Sequence, residues 1–97
     1  MPEEYNSNEE LADAYRRVYA QVCRGNVNLR HARKRENLIR TCGVDIPKFY
    51  REGGEVKKLT IPRIGIATLN ILEDLLVLGE EAVTRNLVAR FAKEHGF

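Results

Sequence analysis

Histidine and cysteine are scarce in this 97-residue chain, with two of each, and each shortage removes a class of function. His31 and His95 are the two histidines, far apart, and neither belongs to an HExxH motif or a Cys/His cluster with metal spacing. No metal site is expected. Cys23 and Cys42 lack CxxC spacing and the density of a secreted disulfide framework. If they close two successive antiparallel helices they stand ~20 Å apart, beyond disulfide reach, and are read as buried thiols. Long hydrophobic runs are missing as well. The most apolar stretch, Leu59 to Leu78, is interrupted by Pro62, Arg63, Asn70, Glu73 and Asp74, and no basic and apolar leader opens the chain. No membrane span is expected, and a cytoplasmic location follows by default.

Catalytic signatures are equally thin. GxSxG, GxxxxGK[ST] and GxGxxG do not occur. The adjacent acids Glu73-Asp74 and Glu80-Glu81 would diverge by about 100° on a helix, unlike a converging acid/base pair. The expectation is a protein without enzymatic activity, cofactor or small-molecule substrate.

What remains is a globular composition, 43% hydrophobic and 31% charged, with no linker-like segment. One all-α domain over residues 7–97 is expected, a small bundle of four main helices plus a short helical turn, after a disordered N-terminus at residues 1–6. Ser7 and Glu10 form a capping box. Leu11, Ala14, Tyr15, Val18, Tyr19 and Val22 then repeat at helical spacing, so a helix spans about 8–24, stopped by Gly25. Tyr15 and Tyr19 fall on its apolar stripe and are read as core. A second helix, capped by Asn26 or Asn28, carries Leu29, Ala32, Leu38, Ile39 and Cys42, and Gly43 with Val44 suggests a Schellman ending. Asp45 and Pro47 start a helical turn through Ile46, Phe49 and Tyr50, broken by Gly53 and Gly54. Residues 55–60 fit a short extended segment or a piece of helix. Pro62 then reads as the first turn of a helix reaching Leu78, apolar around most of its circumference. After Gly79, a last helix has Glu80 and Glu81 at its start and the row Val83, Leu87, Phe91.

Charge divides unevenly along this framework. Residues 24–63 hold eleven basic and four acidic side chains, a net of +7, whereas residues 1–23 carry −3 and residues 64–97 carry −2. The densest patch, Arg30-His31-Ala32-Arg33-Lys34-Arg35, lies on the second helix, about 28–42, with Arg40 beyond it. Such a helix would neutralise phosphates and bind nucleic acid with strong salt dependence. The candidate nucleic-acid contacts are Arg30, Arg33, Lys34 and Arg40, joined by Lys57, Lys58 and Arg63. The competing reading is a solvated face, or one neutralised by the acidic first and last helices. Stacking on bases would need exposed aromatics, and Phe49 with Tyr50 is the available pair.

The twelve residues Ile61-Pro62-Arg63-Ile64-Gly65-Ile66-Ala67-Thr68-Leu69-Asn70-Ile71-Leu72 resemble the hairpin and second helix of a helix-hairpin-helix element. That resemblance implies backbone N–H groups approaching a phosphate, with Arg63 standing where the element has its first hairpin glycine. A core helix with proline in its first turn is the simpler reading of the same residues. The alternative function is a protein-interaction module, a homodimer or adaptor, whose interface comprises Leu69, Leu72, Leu76, Leu87 and Phe91 on the last two helices.

Overall fold

A computed structural model describes residues 5–23 and 29–95, with side chains described for residues 5–22 and 32–90. The described residues form an all-α bundle: α1 (Asn8–Cys23), α2 (Leu29–Thr41), the short α3 (Ile46–Arg51), α4 (Ile66–Leu78) and α5 (Glu80–His95), with a 3₁₀ turn at Val56–Lys58. The expected stops and caps at Gly25, Asn26 and Asn28 lie outside the described residues.

Helix α1 is the hub, packing against α2, α5, α4 and α3. Ser7 Oγ accepts from Glu10 N at 3.2 Å, and the Glu10 carboxylate accepts from Asn6 N at 2.9 Å, a capping box whose return bond lands one residue early. Leu11, Ala14, Tyr15 and Val18 of its apolar stripe are fully buried, Tyr19 and Val22 partly so. Ala12 is buried too, because neighbours enclose the helix on more than one side. The rings of Tyr15 and Tyr19 lie 4.7 Å apart. The Tyr15 hydroxyl is buried without a hydrogen-bond partner among the described residues. The expected disorder of residues 1–6 does not extend to Tyr5, which is 5% exposed and whose carbonyl accepts from the Arg51 guanidinium at 3.2 Å.

Among the described residues, helix α2 is held along one face, packing extensively on α1 alone. Its end departs from the Schellman expectation, since Gly43 is not among the positive-φ residues. Side chains close it instead. Thr41 Oγ1 donates to the Asn37 carbonyl at 2.9 Å, and Cys42 Sγ lies 3.2 Å from the Ile39 carbonyl and 3.3 Å from that of Val44. Cys42 is a free, half-buried thiol. Asn8, at the start of α1, fastens the α2–α3 connection: its Nδ2 donates to Val44 O at 2.6 Å and its Oδ1 accepts from Ile46 N at 2.9 Å.

Asp45 caps α3 by accepting from Lys48 N, and Pro47 sits in the first turn where its missing N–H is not needed. The helix ends in a Schellman pair, Gly54 N to Phe49 O and Gly53 N to Tyr50 O, both 3.0 Å, with Gly53 at φ 92°. Residues 55–60 adopt neither of the two expected forms in full. They make the single 3₁₀ turn, with Val56 buried. Pro62 does not start α4. Ile61 to Ile64 instead form a turn closed by Ile64 N to Ile61 O at 3.1 Å, with Arg63 at φ 68°. Proline followed by a positive-φ residue fits the central pair of a type II turn. α4 begins only at Ile66, and it buries Thr68, Leu69, Ile71, Leu72 and Leu75 against α5, α1, α3 and the 3₁₀ turn. Gly79, at φ 91° and ψ 167°, both ends α4 and precedes α5, a conformation open essentially to glycine alone. Arg17 joins α1 to the start of α5 through a two-pronged contact with Glu80, at 2.8 and 3.2 Å.

The Asn8 amide satisfies one backbone acceptor and one backbone donor that are part-buried. Asn8→Ala is therefore expected to lower unfolding free energy by about 2 kcal/mol in a urea titration, with an unchanged helical circular-dichroism spectrum at zero denaturant.

Candidate nucleic-acid interface

The register of α2 decides which of its cations face water. Ala32 and Ile39 are buried against α1, and between them in the same inward row stands Glu36, only 6% exposed. A carboxylate in that position needs a partner. Arg40, one turn on, supplies it, donating to Glu36 and also to Asp13 of α1, while Glu9 lies 3.7 Å away. Arg16 approaches Glu36 from α1 at 4.0 Å. The hydrogen bonds to Asp13 and then Glu36 push the Arg40 guanidinium above its ordinary pKa. Arg40 was a candidate phosphate contact, and the structure assigns its charge to this seam instead.

Arg33, Lys34 and Arg35 are different. All three are exposed, and none makes an ion pair with a described residue. At about 100° per residue, three consecutive positions sweep the whole side of the helix turned away from α1. Among the described residues the acidic first helix therefore neutralises Arg40 and leaves this trio unpaired. Arg30 stands on the first turn of α2, and its side chain lies outside the described residues.

Lys57, Lys58 and Arg63 fall on the segment ahead of α4, which packs on α4 and α3 and makes no extensive contact with α2. The structure thus gives two cationic groups on separate elements. Within the second, Lys58 is bound to Glu55 at 2.8 Å, which raises the lysine pKa and lowers that of the carboxyl, each through their hydrogen bond. Lys57 and Arg63 are exposed without an ion pair among the described residues. Phe49 and Tyr50, the candidate stacking pair, are half-buried and packed against the core.

The candidate partner interface loses its centre. Leu69 and Leu72 are 3% and 0% exposed, occupied by the molecule's own core, while Leu76 and Leu87 are half-buried beside it. The Phe91 side chain lies outside the described residues. Among the described residues, the large apolar side chains that α4 and α5 expose are Ile66, Val77, Leu78 and Val88. Periodicity named α4 as apolar nearly all round but not which rows its neighbours would cover. A groove of about 420 Å³ runs between α1, α4 and α5, floored by Val22, Ile71, Val83 and Leu87 and rimmed by Asn70, Asp74, Asn86 and Arg90. It contains none of the candidate phosphate contacts. Among the described residues there is no group of three or more His, Cys, Asp or Glu side chains able to hold a metal ion, and no helix is long and apolar enough to cross a membrane.

The Glu36–Arg40–Asp13 seam escaped the sequence reading, although a signal was present. Glu36 sits on the apolar row of its helix and four residues before an arginine, the spacing of a stabilising pair. No family model, no curated protein and no solved structure matches the chain.

Removing one member of a largely buried ion pair strands the other. Arg40→Ala is expected to cost about 2 kcal/mol of stability, whereas Arg33→Ala and Lys34→Ala should each fall within about 0.5 kcal/mol of the parent in the same urea titration.

Proposed function

We propose that this protein is a non-enzymatic nucleic-acid-binding accessory protein, acting in the cytoplasm, that presses the outer face of α2 against phosphates. The observation carrying the proposal is the trio Arg33, Lys34 and Arg35, which among the described residues are exposed and unpaired, on a helix that packs extensively against α1. Exposed cations held in fixed register gain affinity by releasing the counterions condensed on a phosphate backbone. The rigid seam below them limits the ordering that binding must impose, because α2 already has its backbone and inward side chains fixed. Lys57 and Arg63 extend the cationic surface on a second element, available to a longer stretch of the same polymer.

A second reading, self-association or an adaptor role through α4 and α5, is favoured by exposed Val77, Leu78 and Val88. Light scattering across a concentration series separates the two, since phosphate binding by α2 requires no change in mass.

Binding of a fluorescent oligonucleotide should weaken with salt at a log–log slope of about −3 if three cations contact phosphates. Arg33→Glu with Lys34→Glu should abolish binding while leaving thermal stability intact. A parent protein with no binding at low salt and tens of micromolar concentration would refute the proposal.

A further inference from the structure

The outward face of α2 carries more than charge. Lys34, Asn37 and Thr41 lie at i, i+3 and i+7, one row along the side opposite buried Ala32, Glu36 and Ile39, and all three are exposed. Arg33 flanks this row on one side and Arg35 on the other, each about a quarter to a third of a turn away. The helix thus has a hydrogen-bonding crest between two guanidinium shoulders. Resting on the phosphate-binding reading above, we infer that α2 enters the major groove of duplex DNA and reads base edges, with Asn37 as its principal specificity residue and Lys34 beside it.

The chemistry of the crest fits that role. An asparagine amide offers a donor and an acceptor side by side, the pattern that matches adenine in the major groove, and a lysine ammonium matches the acceptors of guanine. Neither Lys34 nor Asn37 uses its side chain in a hydrogen bond or ion pair with a described residue. Thr41, also exposed, donates its hydroxyl proton to the backbone carbonyl of Asn37, so the Asn37 side-chain amide is not used by it. Shoulders that meet phosphates on the two strands would hold register, and a crest that meets bases would supply selectivity.

The shape of the element selects among nucleic acids. α2 is a 13-residue helix, about 20 Å long, and among the described residues it is supported extensively along one side only. The major groove of B-form DNA admits such a rod, whereas that of A-form RNA is too deep and narrow. Single strands are held chiefly by stacking on exposed aromatic rings. The described part of α2 offers none, and Phe49 and Tyr50 are committed to the core. The one carboxylate on α2, Glu36, points inward and is neutralised by Arg40, so it does not oppose the approach of phosphates to the crest.

The test begins with selection of bound duplexes from a random-sequence DNA pool by the full chain. Fluorescence anisotropy then compares the selected duplex with a scrambled duplex, a single strand and a duplex RNA. A selected duplex bound roughly tenfold or more above the other three is the expected result. Asn37→Ala should erase roughly tenfold of that preference at one base pair while changing scrambled-duplex affinity less than twofold. Arg33→Ala with Arg35→Ala should weaken both duplexes in parallel, and thermal melting should confirm both variants as folded. Binding with no enriched sequence, an Asn37→Ala variant of unchanged selectivity, or equal or tighter binding of RNA or a single strand would each overturn groove reading while leaving phosphate binding standing. Failure to bind any of the four would overturn both.

Discussion

The structure turns on a single seam, the contact of α2 with α1, into which the Glu36 carboxylate is buried and answered by Arg40. Because a buried carboxylate is costly unless paired, the position of Glu36 fixes where Arg40 must point, and Asp13 and Glu9 on α1 complete the arrangement. Two consequences follow from that one constraint. The rotation of α2 about its own axis is set, and Glu9 and Asp13 of α1 are engaged with Arg40. Arg33, Lys34 and Arg35 are left outside, one on each flank and one on the crest.

The remainder of the bundle supports this arrangement from below. Fully buried Leu11, Tyr15 and Val18 make α1 the axis on which α4 and α5 also pack, and the Arg17–Glu80 contact ties the start of α5 to it. Asn8 connects the first turn of α1 to the segment that leaves α2, so both the side and the exit of α2 are fixed to one helix. The cationic side chains are therefore displayed on a helix and not on a loop, the placement that favours a precise contact.

Much of this was legible in the sequence, and the parts that were not have identifiable causes. Helix α1 followed from a capping box and six apolar residues at helical spacing, a pattern that no other element satisfies. The five helices and the split of charge along the chain were legible in the same way. The start of α4 was not, because proline is equally at home in the first turn of a helix and in the second position of a turn. A positive φ at Arg63, a residue that rarely takes one, has no sequence signature. Gly43 illustrates the converse, a glycine at a helix end that does not adopt the left-handed form because Cys42, Thr41 and Asn8 already serve the local backbone. The expected interface failed at Leu69 and Leu72 since apolarity alone does not tell a core-facing row from a partner-facing one. Arg40, unlike Arg33, is engaged by a buried acid, and total charge does not reveal which cation such an acid will claim.

The side of α2 turned away from α1 is the surface proposed to meet nucleic acid. Two-dimensional amide NMR during titration with a short DNA duplex tests it most directly. Shifts concentrated on residues 33–41, with the buried residues of α1 little changed, are the expected result. Shifts confined to the α1–α4–α5 groove or to the segment around Lys57 and Arg63, with α2 unmoved, would contradict it.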